Sequence, residues 1–301
     1  MASIICGSLA FDTIMNFEGR FAEQILPDQL HILNVSFLVP ALRRDFGGCA
    51  GNIAYSLKML GGDPLPMATI GLDGDGYLER LKSLGIDCGF VRRLEDAYTA
   101  QAMIITDQDN NQINGFHPGA MAHAHLNVIS ARSDIKLGII APDGRDAMLQ
   151  HAEQFVAADI PFVFDPGQQL PRFDGSELRK FVEQASWVTV NDYEGKMLSD
   201  RTGWSTEEIS RRVRGLFVTI GAEGSEVWVD GIKTLVPPVK AHAVVDPTGC
   251  GDAYRGALLF GLERGWSLTR CAAAGNYIGS VKIAQRGPQN YQLDVNRVTA
   301  E

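Results

Sequence analysis

The segment Asp246-Pro247-Thr248-Gly249-Cys250-Gly251-Asp252 holds the chain's densest set of groups able to do chemistry, and Ala253-Tyr254-Arg255-Gly256-Ala257-Leu258-Leu259 follows it at once. Pro247 pushes Asp246 into an extended conformation. Gly249 and Gly251 permit backbone angles and close approaches denied to residues with side chains. A helix that begins near Asp252 leaves the N–H groups of Gly249, Cys250 and Gly251 converging on one point, with the positive end of the helix dipole behind them. Such an anion hole suits a phosphoryl group in transfer. A carboxylate at that helix start stands where it takes a proton from an attacking hydroxyl. The competing reading of Asp252 is a plain helix cap after a glycine turn. Cys250 puts a thiol at a helix N-terminus, a position that can lower its pKa, with inert packing as the alternative.

Other constellations are weaker alone. Gly47-Gly48-Cys49-Ala50-Gly51-Asn52 opens a helical stretch: its glycines let backbone approach a sugar, and Asn52 offers both a donor and an acceptor. Asp12 follows the first strand, where a carboxylate suits a vicinal diol or simply ends a strand. Asn191-Asp192-Tyr193-Glu194 supplies hard oxygen donors, or a turn and a helix cap. Thr219-Ile220-Gly221-Ala222-Glu223-Gly224 is a glycine loop after a strand. Neither a Gly-x-x-x-x-Gly-Lys-Ser/Thr loop nor a Gly-x-Gly-x-x-Gly after the first strand is present, which argues against P-loop kinases and dinucleotide-binding dehydrogenases. His123-x-His125 lacks a third ligand at telling spacing and reads as a solvated pair on an extended segment. Arg43-Arg44 reads as a surface doublet or a phosphate contact.

Taken together and in this order, these motifs resemble the PfkB (ribokinase-like) family of carbohydrate and nucleoside kinases over nearly the whole chain. The family's C-terminal signature is Asp-Thr-x-Gly-Ala-Gly-Asp; this chain departs from it at Pro247 and Cys250. The resemblance implies that Asp252 is the base and that the amides of Gly249, Cys250 and Gly251 form the anion hole. It implies that Asp12, Gly48 and Asn52 hold a ribose, and that Asn191 and Glu194 organise Mg²⁺ through water. Thr219, Gly221 and Gly224 would form the ATP loop, with Asn276 near the adenine. A candidate K⁺ site falls on Asp246, Thr248 and the loop Gln285–Gln289. Gly19-Arg20-Phe21, Leu33–Leu38, Phe116–Met121 and Asp165–Leu170 are similar to the bacterial adenosine/nucleoside-kinase branch. On that ground Phe116, Gln168 and Gln169 are expected at the nucleobase, with Phe116 stacking on it. The implied reaction is ATP-dependent phosphoryl transfer to the 5′-hydroxyl of a purine-type ribonucleoside, in nucleoside salvage. The alternatives are a ribokinase- or fructokinase-like sugar kinase and a non-catalytic nucleoside-binding regulator.

The elements that must position these residues alternate in type. Ser3–Cys6, Leu137–Ala141, Phe162–Asp165, Trp187–Val190 and Leu216–Ile220 read as short buried strands. Gly51–Leu60, Tyr77–Leu84, Arg145–Ala158, Gly175–Gln184, Glu207–Val213, Asp252–Arg264 and Leu268–Ile283 read as helices. That alternation predicts an α/β fold, a doubly wound and mostly parallel sheet covered on both faces. Small residues in the last two helices predict close helix–sheet packing. Met15–Phe17, Ile32–Val39, Gln101–Thr106 and Gln112–Phe116 break the pattern as short β segments, with Asp107–Asn111 as a hairpin turn. They predict a small β lid at 13–46 and 97–117, inserted into a large domain at 1–12, 47–96 and 118–301. The lid is the expected homodimer contact.

Composition bounds the partners. The chain has 301 residues, 45% hydrophobic, with 27 Lys and Arg against 36 Asp and Glu and a formal charge of −9. Such a chain buries a large core without staples, and supplies no broad positive field for nucleic acid or anionic membranes. Its five cysteines are odd in number and widely spaced, as expected of reduced thiols in cytoplasm. The opening Met-Ala-Ser-Ile-Ile-Cys-Gly lacks a basic region and a long apolar run, so no secretory leader is expected, and no uninterrupted apolar stretch in the sequence approaches the ~18 residues of a membrane span.

Overall fold

The computed structural model describes residues 2–129 and 132–299. Thirteen strands are found among them: β1 Ala2–Cys6, β2 Ala10–Asn16, β3 Ala41–Gly47, β4 Pro64–Ile70, β5 Val91–Arg93, β6 Ala100–Thr106, β7 Gln112–His117, β8 Ile135–Ile140, β9 Phe162–Phe164, β10 Trp187–Asn191, β11 Gly215–Thr219, β12 Ser225–Val229 and β13 Ile232–Val236. Nine make one sheet in the order β13-β12-β11-β10-β9-β8-β1-β4-β5. Every pairing in it is parallel except those of β12 with β11 and β13. The remaining four form a second sheet, β3-β2-β6-β7.

Both faces of the large sheet are buried, and strand alternation divides the core accordingly. Ile4, Phe162, Phe164, Val188 and Val190 pack on one face with Phe155 and Phe181. Ile5, Ile139 and Val163 pack on the other, with Ile53, Leu57, Ala257 and Phe260 of helices Cys49–Met59 and Cys250–Glu263. The small residues of the last two long helices serve helix–helix contact more than the helix–sheet contact expected. A Cβ on Gly256 would lie 2.5 Å from that of Ser56, and one on Gly275 would enter the Tyr254 ring.

Several segments differ from the sequence expectation. Ile32–Val39 is not a strand: Pro27–Ile32 is a 3₁₀ turn, residues 33–39 have no regular structure, and Pro40 ends the run. The strand that pairs with β2 is β3, and β2 starts at Ala10, so the second sheet reaches beyond the expected limits of 13 and 46. β4 escaped notice because Pro64 and Pro66 look like breakers. β5 pairs with β4 only from Ala68 onward, so both prolines lie beyond its reach. The β12–β13 hairpin turns through Asp230 (φ 49°) and Gly231 (φ 80°), an Asp-Gly turn signal that sequence reading had missed. Asp107 does organise the β6–β7 turn, accepting from the N–H groups of Phe21, Asp109 and Asn111. His123 and His125 lie in a 3₁₀ segment, Gly119–Leu126, rather than an extended one.

Candidate active site

The parallel strands deliver polar residues to one rim at their carboxyl ends, where open α/β sheets bind ligands. Asp165 directly follows β9, and Asn191 and Thr219 are the last residues of β10 and β11, paired in register. Helix Cys250–Glu263 points its N-terminus at this rim. Between them lies a cleft of about 420 Å³ lined by Gln168, Asn191, Glu194, Thr219, Gly221, Gly249, Gly251, Asp252 and Arg255 among others.

The helix starts two residues earlier than the sequence suggests: Cys250 is its first residue and Gly249 its cap, at φ 79°. Asp252 therefore occupies the third helical position. A Cβ at Gly249 would meet that of Pro288 at 2.6 Å, so both backbone angle and space favour glycine. Cys250 differs from expectation. Its N–H donates to the Pro247 carbonyl at 3.1 Å, whereas those of Gly249, Gly251 and Asp252 meet no acceptor among the described residues. The open donors are thus these three, and Asp252 replaces Cys250 in the set. Nor is the Cys250 thiol acidified: burial pushes it up to about 11.

Asp252 is half-buried and held by Asn52, whose Nδ2 donates to Oδ2 at 2.8 Å. Gln289 Nε2 donates to Asn52 Oδ1 at 3.0 Å and to the Tyr77 hydroxyl at 2.7 Å, and Tyr77 donates to the Gly47 carbonyl at 2.6 Å. This network joins the Gly47–Asn52 turn to Asp252, a connection through Tyr77 and Gln289 that sequence reading did not make. Burial raises the Asp252 carboxyl to about 6, with Asn52 and Arg255 pulling against it. Arg255, one turn further on the helix, was missed. It forms a buried bidentate pair with Asp165 at 2.9 and 2.8 Å, lies 3.9 Å from Glu194, and keeps a fixed positive charge in the cleft wall. Its spacing of three from Asp252 was the available signal.

Asp12 lies on β2 opposite Asp45, against the backbone of Gly47. Burial, reinforced by Asp45, Asp252 and Asp246, raises it to about 6. Gly48 adopts φ 84°, and a Cβ there would lie 2.5 Å from the Ser8 carbonyl oxygen. Arg43 is not a loose surface cation: it pairs with Asp45 at 2.9 Å and with Asp246 at 3.1 Å, tying the second sheet to the Asp246–Gly249 loop. Arg44 lies over the Phe11 ring, 3.7 Å from its centroid, and pairs with Asp73.

The remaining expected residues are divided. Asn191 and Glu194 cap helix Asp192–Thr202 reciprocally, as the cap reading expects, and both also line the cleft. Gln168 is exposed on the cleft wall, but Gln169 is buried and accepts from Arg172. Gly224 joins the turn by accepting from Ile220 N–H at 2.9 Å, while Thr219 and Gly221 line the cleft. The Asn276 amide is spent on Ser225 and on the Val236 and Pro237 carbonyls, so it stitches helix to hairpin. Phe116 stands on β7 outside the cleft lining, 53% exposed. Asp246 accepts from Thr248 N–H and Gly287 N–H, each at 2.9 Å.

The geometry is that of a phosphoryl-transfer cleft, and comparison with known proteins agrees. Residues 11–295 match the pfkB family carbohydrate kinase description. The chain belongs to the pfkB carbohydrate kinase family. It is similar to the nucleoside kinase of Burkholderia thailandensis in complex with inosine, at 50% identity and TM-score 0.88, covering 98% of this chain and 95% of that one. The same enzyme's ADP-inosine complex matches at 51% identity and TM-score 0.86, covering 98% and 93%. A curated relative, the nucleoside kinase of Methanocaldococcus jannaschii, is 32% identical over 293 residues, 96% of this chain and 93% of that one. As a pfkB kinase the protein is a phosphotransferase with a ribokinase-like α/β fold.

Mg²⁺ fits the donor set in kind. Asn191 and Glu194 bring hard oxygens to the cleft, and no group of three acidic, His or Cys side chains is placed to hold a metal ion among the described residues. That suits an ion held chiefly by water and phosphate oxygens.

Proposed function

We propose that this pfkB kinase transfers the γ-phosphoryl group of ATP to the 5′-hydroxyl of a purine ribonucleoside, of the inosine, adenosine or guanosine type. The observation that carries the reading is a half-buried carboxylate, Asp252, beside three open amides at a helix start. The neighbour crystallised with ADP and inosine supports the substrate pair. Asp252 takes the hydroxyl proton as the 5′-oxygen bonds to the γ-phosphorus and the bond to the ADP oxygen breaks. The N–H groups of Gly249, Gly251 and Asp252 hold the developing negative charge, with Arg255 fixed behind them. Asp12, Gly48 and Asn52 face the ribose, and Thr219 and Gly221 the nucleotide. Mg²⁺, near Asn191 and Glu194, supplies charge neutralisation on the phosphates when bound.

The second sheet acts as a lid that excludes water, with Phe116 on the nucleobase. Exposed Leu42, Met103 and Ile113 on this sheet support a homodimer through it, which sedimentation would detect. Recovery of preformed purine nucleosides in the cytoplasm fits the five unpaired thiols. The test is ATP consumption with inosine, adenosine and guanosine beside ribose and fructose. Turnover confined to the free sugars overturns the nucleoside assignment; binding without transfer makes the protein a regulator.

A further inference from the structure

Helix Leu268–Lys282 ends beneath the Asp246–Gly249 loop, and its last residue turns its side chain inward. Lys282 is fully buried, at 0% exposure. Its Nζ donates to the Asp246 carbonyl at 2.7 Å and to the Gln285 carbonyl at 3.2 Å. The two loops it joins are those from which a K⁺ site was expected. Their other groups are committed as well: the Asp246 carboxylate holds Thr248 N–H, Gly287 N–H and Arg43. A monovalent cation held by carbonyls requires several inward oxygens free of other donors. Here two of them already end on an ammonium group, and a second cation beside it would meet like-charge repulsion. The residues present do not fit K⁺.

We propose that Lys282 takes the place of the monovalent cation, so that phosphoryl transfer by this chain is independent of K⁺. The inference rests on the kinase reading above. Lys282 is a positioning residue. By fixing the Asp246 carbonyl it fixes Pro247, whose own carbonyl accepts from Cys250 N–H and sets the turn that aims Gly249, Gly251 and Asp252 at the cleft. Asp246, Asp45 and the Cys250 thiol face the ammonium group, and Arg43 faces it with like charge.

The test measures initial rates with inosine and Mg–ATP in tetramethylammonium salt, replaced stepwise by K⁺ at constant ionic strength. The wild-type rate is expected to change by less than about twofold, below the ~5-fold typical of an effector coupling. Lys282→Met removes the charge at similar length and leaves two buried carbonyls unpaired, so kcat is expected to fall by ~10-fold or more. K⁺, but not tetramethylammonium, should then restore part of kcat and raise the variant's melting temperature, while leaving the wild type's unmoved. Several-fold stimulation of the wild type by K⁺ overturns the proposal. So does a Lys282→Met enzyme of unchanged kcat, or one whose loss no concentration of K⁺ relieves. If that variant does not fold, the wild-type rate and melting temperature against K⁺ still decide. Absence of wild-type turnover in every salt would instead strike the kinase reading.

Discussion

Asp252 sits where its charge is least comfortable and most useful. Burial raises it to about 6 against the opposing pull of Asn52 and Arg255, so near neutral pH it is ionised yet basic enough to take a proton. Because the base proposed here must be deprotonated, kcat/KM for nucleoside should rise with pH through about 6 and level off above it; a profile flat across that range would contradict the proposed role. Asp252→Asn should lower kcat by ~10²–10⁴ with little change in the KM for ATP. The same raised value has a stability consequence. A folded-state pKa above the ordinary 3.8 means the folded chain binds the proton more tightly, so stability is greater below about 6 and declines as pH rises through it. Asp252→Asn should therefore melt at a higher temperature than the wild type near neutral pH. Asp12→Ala should raise the nucleoside KM strongly and leave the KM for ATP alone, as steady-state kinetics would show. Asp252 and Asn52 were legible because short motifs surround them. Arg255 and Lys282 were not, since their partners lie 90 and 36 positions away and only the fold brings them together; for the same reason the link from Gln289 to Asn52, 237 positions apart, was not readable.

At the scale of elements, the site depends on the pitch of one helix start. Gly249 combines a left-handed φ with a backbone approach to Pro288, and Gly249→Ala should destabilise by ~1–3 kcal/mol while lowering kcat. A denaturant titration beside an activity assay separates the two effects. The buried strands β1, β8, β9, β10 and β11 were readable as apolar runs because both sheet faces are covered. β4 was hidden by prolines and the β12–β13 hairpin by its exposed outer strand, Ile232–Val236, where burial leaves no alternating signature. Ile32–Val39 carried β-type residues but had no neighbour to pair with, and pairing rather than propensity makes a strand.

For the molecule as a whole, two sheets meet at an acidic cluster. Asp12 and Asp45 belong to the second sheet, Asp246 and Asp252 to the main body, and Arg43 spans the two. Arg43→Ala should free the second sheet from the Asp246 loop and raise the KM for nucleoside more than it alters thermal stability, because the pair is partly exposed. The overall fold and order of motifs were legible from sequence, whereas the face each residue presents to the cleft was not, as Gln169 and Asn276 illustrate. The most direct measurement is the yield of inosine 5′-monophosphate from inosine and Mg–ATP, for the wild type and for folded Asp252→Asn. The account predicts product from the wild type and, from the variant, a rate lower by ~10² or more. Equal rates from the two would contradict it.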